Sequence, residues 1–326
     1  MTPRVVAEGG QCNQGQVDLA IRMAQDAKAA GAWAYKSQLL TPETIAAPDA
    51  PLYWDDNLGT TNQREAFTRA GLVDYGAWSA VKEACDDIGI VFFATPFDLD
   101  AVWTLAAMGV QHFKIASGDL TYKDLIVACA GSGAEVILST GAAYKVEIDR
   151  ALEWAPDATI LACTLSYPTP VHQAHLARIE TLRAAYPGYR IGYSDHTSSP
   201  DTALAAAALG ADMLEVHYTH DRTADDVPDH AMAVDQIGLA AYTRSARVGA
   251  MLRGQGDLVP CSQEDRARRG ARRSAHAARD LPAGHQLQAG DWTWVRPDGT
   301  WEPWRHLEGR TLLEPVKAGQ QIRTAR

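Results

Sequence analysis

Short β-rich apolar runs alternate along the chain with longer, Ala-rich stretches of helical character. The runs cover residues 5–8, 33–38, 90–95, 112–117, 135–140, 159–166, 190–195 and 213–218, eight in all. Helical patterns lie between them, as at 17–30, 77–88, 99–108, 145–154, 174–185 and 200–209. Gly31, Gly89, Gly109, Gly188 and Gly210 stand just before the next run, where a helix stop belongs. Regular alternation of strand and helix predicts parallel strands joined by right-handed crossovers. Eight repeats within about 250 residues favour a closed (β/α)8 (TIM) barrel over an open doubly wound sheet. No run is followed by GxGxxG or GxxxxGK[ST], so the nucleotide-binding versions of the open sheet lack support.

One connection breaks the rhythm. Residues 39–89 separate the second and third runs and carry Pro42, Pro48, Pro51 and Trp54. A connection this long is expected to be an elaborated loop over the active mouth. The chain also changes character near its end. Residues 255–271 are polar and Arg-rich, read as a solvated hinge, and 272–326 is a series of short segments broken by Gly turns. The expected organisation is therefore a barrel over 1–254, a linker over 255–271 and a small β-rich domain over 272–326. A domain that small buries little core and is expected to lean on the barrel or on a second subunit.

Composition narrows the function. The chain has 326 residues, 46% of them apolar and 21% charged, with a net charge of −10. That balance excludes a disordered chain and argues against a general nucleic-acid role, which needs a positive face. Charge is uneven: 12 basic against 9 acidic residues from Gln255 onward, and 18 against 31 before it. No stretch is long and apolar enough for a membrane span, and the five scattered cysteines read as reduced thiols. Both point to a cytoplasmic protein without a membrane partner.

Candidate chemistry sits where such barrels keep it, at the C-terminal strand ends. Those ends present Glu8, Lys36 and Gln38, Thr95, Lys114 and Ser117, Ser139, Ser194 with His196, and Glu215 with His217. Only seven lysines exist, and Lys36 and Lys114 lie inside apolar runs. A Lys there needs an anion. The two can form a phosphate or carboxylate cradle with the nearby hydroxyls. One of them can instead form a Schiff base, and each can also be a buried Lys–Glu pair. His196 and His217 end neighbouring strands, about 4.8 Å apart, and can converge on one divalent ion with positions left open for substrate. Glu215 shares a face with His217 and is a candidate to orient it.

These residues fall into motifs: Tyr35-Lys36-Ser37-Gln38, Ala94-Thr95-Pro96-Phe97-Asp98, Phe113-Lys114-Ile115-Ala116-Ser117-Gly118-Asp119, Leu138-Ser139-Thr140-Gly141, Ser166-Tyr167-Pro168-Thr169-Pro170, Ser194-Asp195-His196-Thr197, Glu215-Val216-His217 and Pro228-Asp229-His230. In this order the chain resembles the sialic acid synthase family, the phosphoenolpyruvate-dependent N-acylneuraminate synthases, along nearly its whole length. Its tail, with Val295-Arg296-Pro297, is similar to the antifreeze-like (SAF) domain of that family.

The resemblance implies a donor site of Lys36, Thr95, Lys114, Ser117, Ser139, Tyr167 and Ser194 for phosphoenolpyruvate. It implies a divalent metal, manganese or magnesium, on His196 and His217. Glu8, Asp119 and Asp229 would face the acceptor aldose or a catalytic water, with Gln38 at the acceptor. Arg296 would reach the neighbouring subunit's site in a swapped homodimer. The implied reaction joins phosphoenolpyruvate, an open-chain aldose and water into a 2-keto-3-deoxy sugar acid, releasing phosphate by C–O cleavage.

Three places depart from the family pattern. Gly10-Gln11-Cys12-Asn13-Gln14-Gly15 replaces a Gly-hydrophobic-Asn-His-x-Gly run, and Ala162 and Leu165 stand where His and a polar residue are usual. An aromatic of the early tail domain is replaced near Arg272. Unchanged donor chemistry with an altered acceptor is the expectation. A Schiff-base lyase on the same barrel and a non-catalytic sugar-binding relative are the rivals.

Overall fold

A computed structural model describes residues 2–54, 59–70, 74–224, 227–297 and 306–323. The chain divides into two compact units, Met1–Gly254 and Gln255–Arg326. The first is a closed barrel of eight parallel strands in sequence order. They are β1 (Arg4–Gly10), β2 (Ala34–Leu39), β3 (Val91–Pro96), β4 (His112–Ile115), β5 (Glu135–Ser139), β6 (Thr159–Cys163), β7 (Ile191–Asp195) and β8 (Met213–His217). The barrel closes by pairing β1 with β8, Glu8 opposite His217.

Helices follow the strands: α1 (Val17–Ala29) after β1, then α2 (Pro42–Ile45), α3 (Gln63–Arg69) and α4 (Trp78–Ile88) in the long connection after β2. Next come α5 (Leu99–Ala107), α6 (Lys123–Gly131), α7 (Lys145–Trp154), α8 (Ala177–Ala185), α9 (Pro200–Ala208) and α10 (Gln236–Arg253). Their ends follow local chemistry. Asp98 caps α5 by accepting from the Ala101 N–H, and Ser199 followed by Pro200 starts α9. Gly89 ends α4 at φ 71° in the left-handed region.

Period-2 alternation along each strand layers the barrel interior. A middle layer of Val6, Ala34, Phe93, Ile137, Leu161 and Met213 forms its own apolar cluster. Gly192 completes that layer because a Cβ there would meet Met213 O at 2.4 Å and Leu161 Cδ2 at 2.6 Å. Two residues further along six of the strands the same face turns polar, with Glu8, Lys36, Thr95, Ser139, Ser194 and Glu215 all buried. Two residues back from the middle layer lies a separate floor, where Glu135 contacts Arg190, His112 and Arg4.

The second unit holds α11 (Glu264–Ala271) and an antiparallel pair, β9 (Ser274–Ala277) and β10 (Trp292–Val295). Residues 255–273 are exposed throughout, so the Arg-rich run is solvated and part of it is the helix α11. Its core is small: Ala275, Ala277, Leu281, Leu287, Leu312 and Ile322 are among its buried residues, with Trp292 and Trp294 packed against them. Buried Asp291 ties its loops together by accepting from Arg279 (2.7 Å) and the Gln288 N–H (2.9 Å) and pairing with His285 (2.6 Å).

Candidate active site

The polar layer opens on a cavity of about 760 Å³ at the C-terminal mouth of the barrel. Its floor is an ionic network. Lys36 Nζ donates to Thr95 Oγ1 at 2.9 Å, pairs closely with Glu8 and lies 3.7 Å from Glu215 Oε2. Lys114 Nζ lies 3.4 Å from Glu215 Oε1, which also accepts from Ser194 Oγ at 3.1 Å. One carboxylate therefore bridges both lysines and a serine. The side chains of Lys36, Lys114, Glu8 and Glu215 are at most 5% exposed.

Their surroundings shift the two lysines in opposite directions. Burial pulls Lys36 down, but the Glu215 and Glu8 carboxylates outweigh it and its pKa is raised. Lys114 is lowered, because burial there exceeds what Glu215 restores and Lys36 adds repulsion. Glu215 is held at about 2: burial opposes ionisation, yet Lys114 and Lys36 overcome it.

Ser117, Ser139 and Asp119 line the same cavity. The Gly141 N–H donates to Ser117 Oγ at 3.0 Å. A Cβ on Gly141 would meet that oxygen at 2.7 Å and Leu165 Cβ at 3.1 Å, so glycine permits this approach. Burial raises Asp119 to about 6, with Lys114 partly offsetting it. Burial also raises the Tyr167 phenol well above its usual range, keeping it a donor.

His196 and His217 converge on the cavity, with ring centroids 5.4 Å apart. His196 Nδ1 is 2.8 Å from the Thr164 carbonyl oxygen, so it carries the proton. His217 Nδ1 lies 3.4 Å from Asp229 Oδ2. His196 Nδ1 is thus held by a carbonyl and His217 Nδ1 faces a carboxylate, the kind of outer partner that orients an imidazole whose Nε2 is to bind a metal. The Tyr167 ring packs over His196 at 4.2 Å. Among the described residues no group of three or more His, Cys, Asp or Glu forms a metal cage. The pair therefore fits an ion that takes its other ligands from water and substrate.

The structure thus gathers twelve of the sequence-derived residues at this mouth; the other two, Glu8 and Arg296, do not line the cavity. Glu8 stands behind Lys36 rather than on the cavity wall: its Oε1 accepts from Gln38 Nε2 at 3.2 Å and it pairs with Lys36. Arg296 lies in the second unit, exposed just after β10. Cys12 packs into the barrel's apolar core and does not line the cavity. Gln11 does line it, and its N–H reaches Asp229 Oδ2 at 3.4 Å. Sequence reasoning missed the aromatic side of the cavity, where Tyr53, Trp54 and Phe67 come from the long connection. The expectation of a loop over the mouth was its only signal.

The closed eight-stranded parallel barrel with its polar groups gathered at the C-terminal mouth is of the TIM-barrel class, and a small β-rich unit follows it in the chain. The NeuB family pattern matches residues 23–257, and the SAF domain pattern matches residues 272–326. The chain belongs to the NeuB family, and its tail is a SAF domain. It is 34% identical to an uncharacterised protein of Methanocaldococcus jannaschii over 90% of this chain and 84% of that one. It is 29% identical to the N,N'-diacetyllegionaminic acid synthase of Campylobacter jejuni, over 98% of both chains. Among solved structures, the N-acetylneuraminic acid (sialic acid) synthetase of Leptospira borgpetersenii, in complex with citrate, superposes with a TM-score of 0.73 at 31% identity. That match covers 82% of this chain and 90% of the other.

Proposed function

We propose that the protein condenses phosphoenolpyruvate with an open-chain acylamino aldose and water, giving a sialic-acid-like 2-keto-3-deoxy sugar acid and phosphate. One observation carries the reading: two buried ammonium groups share the Glu215 carboxylate on the floor of a cavity also lined by two imidazoles, His196 held by the Thr164 carbonyl and His217 facing Asp229. A doubly anionic donor is what such a floor attracts. Lys36 and Lys114 supply fixed charge, and Thr95, Ser117, Ser139, Ser194 and Tyr167 supply hydroxyl donors to the phosphate and carboxylate.

His196 and His217 would hold the divalent ion, manganese or magnesium, which when bound supplies Lewis acidity toward an aldehyde oxygen. Asp229 orients His217, and Thr164 orients His196. C3 of the donor attacks the aldehyde carbon, water adds at C2, and the C2–O bond breaks as phosphate leaves. The lysines stabilise charge as it moves onto phosphate. Asp119, lifted to about 6 by burial, is poised to move the water's proton near neutral pH. Glu8 keeps Lys36 charged and holds Gln38 toward the acceptor. Arg296 completes the acceptor site of a partner in a swapped homodimer. No described helix is long and apolar enough to cross a membrane, and cytoplasmic placement is part of the same proposal.

Mass spectrometry after incubation with phosphoenolpyruvate, manganese and a panel of aldoses tests this reading. The expected result is a product of donor plus sugar with stoichiometric phosphate, abolished by chelator. Trapping of Lys114 by borohydride, without need of metal, would instead establish a Schiff-base lyase. Absence of product with every sugar would leave a sugar-binding relative.

A further inference from the structure

In the Ser194-Asp195-His196-Thr197 motif, Ser194 and His196 line the cavity and Asp195 does not. Alternation along β7 turns Ser194 into the barrel, where it meets Glu215, and turns Asp195 outward to the helices. There Asp195 is fully buried. Its Oδ1 accepts from the Thr197 N–H at 2.7 Å, and its Oδ2 accepts from the Tyr242 hydroxyl at 3.1 Å. Tyr242 is also fully buried, on the inner face of α10. A carboxylate in such a place is costly unless it is hydrogen-bonded. Its two oxygens therefore fix two things at once: the shape of the turn that carries His196, and the distance of that turn from α10.

The turn has further ties. The His196 carbonyl accepts from the Thr169 N–H at 2.9 Å. Ser198, at φ 55°, is a non-glycine residue in the left-handed region, a conformation that persists where neighbours impose it. Its hydroxyl donates to the Met232 carbonyl. Met232 follows the single helical turn Pro228–Ala231, which contains Asp229, the carboxylate facing His217. That second turn is anchored on β8, where the Val234 N–H donates to the His217 carbonyl at 2.9 Å. Asp235 then caps α10. The turns after β7 and β8 are thus joined by a hydrogen bond, and α9 and α10 grow out of them. The two helices pack closely, since a Cβ on Gly249 would collide with the Leu204 carbonyl.

We propose that Asp195 and Tyr242 are positioning residues for the imidazole pair: their hydrogen bond ties α10 to the His196 turn and so sets how His196 stands relative to His217. Neither residue lines the cavity. The inference rests on the synthase reading and deepens it by naming what holds the metal-binding pair in register.

Tyr242→Phe removes one hydroxyl and keeps the ring. Calorimetric titration of the metal-free variant with manganese is expected to show Kd weakened about tenfold, the lower end of the range for outer partners of a ligand histidine. Affinity for phosphoenolpyruvate without metal should be unchanged. Asp195→Asn keeps an oxygen for the Thr197 N–H and an amide for the Tyr242 oxygen, so it should stay close to wild type, whereas Asp195→Ala should lose at least as much as Tyr242→Phe. Hydrogen exchange without metal reads the same tie independently. In Tyr242→Phe the Thr169 amide should lose protection, while the Phe97 amide, bonded to Leu39 across the barrel, should keep it. Unchanged manganese affinity in both Tyr242→Phe and Asp195→Ala, whatever their melting temperatures, would overturn the inference and leave the synthase reading standing. No manganese binding by the wild-type protein, with selective loss of Thr169 protection in Tyr242→Phe, would overturn the metal part of that reading and keep the tie between α10 and His196.

Discussion

The two mouths of the barrel carry the same kinds of charge, but only one holds it away from water. At the floor, Glu135 receives Arg190 at 2.7 Å, Thr159 Oγ1 at 2.6 Å, His112 at 3.5 Å and Arg4 at 3.9 Å. Arg190 and Arg4 are 51% and 43% exposed, so solvent screens much of that attraction. At the opposite mouth, Lys36 and Lys114 are nearly inaccessible and share Glu215 beside an open cavity. Buried charge is costly when unpaired; Lys36 already meets Glu8, Thr95 and Glu215, while Lys114 reaches Glu215 at 3.4 Å and keeps N–H donors to offer. The floor spends its charge on closing the barrel; the top keeps it ready for an anion.

Removing a charge at each mouth should sharpen that contrast. Lys114→Met is expected to lower kcat/KM for phosphoenolpyruvate about 10²–10³-fold, as measured by phosphate release. Circular dichroism should show the fold retained, because Glu215 still has Lys36 and Ser194. A smaller effect is expected one layer out from the two imidazoles. Asp229→Asn should weaken manganese binding about 10–100-fold in titration calorimetry, because His217 loses the carboxylate facing its Nδ1.

Asp119 gives a pH test. Its folded carboxyl, raised by burial to about 6, ionises later than a free one. A step that needs the carboxylate should therefore gain rate as pH rises through about 6, and Asp119→Asn should flatten that limb. For stability the sign is opposite. The contribution of this raised group is fully present below about 4 and lost as pH rises to about 6. The smallest effect belongs to the floor. Glu135→Gln should cost about 1 kcal/mol of stability after solvent screening and leave kcat/KM unchanged. A large loss of rate there would erase the distinction between the two mouths.

Much of this was legible in the residues. The eight apolar runs marked the strands because parallel strands buried on both faces read as continuous hydrophobic segments. Lys36 and Lys114 stood out because charge inside such runs demands a partner. Limits of the elements were less legible. The sixth run reads as a strand to Ser166, yet β6 stops at Cys163 because Thr164 turns its carbonyl to His196 and its hydroxyl to Gln173 O. The role of Glu215 was only half visible: its strand face predicts a neighbour of His217, while its contacts run to lysines on β2 and β4 across the barrel interior. Glu8 shows the same effect, since alternation points it inward but not toward a particular partner. The aromatic wall was hidden because a long irregular connection has no periodicity from which to read its facing.

The fate of one oxygen separates C–O from P–O cleavage. Phosphoenolpyruvate labelled with ¹⁸O at the bridging position, incubated with the protein, manganese and an acylamino aldose, should release phosphate that carries the label, with water's oxygen at C2 of the product. Unlabelled phosphate, with the bridging oxygen left on the organic product, would show P–O cleavage and contradict the account.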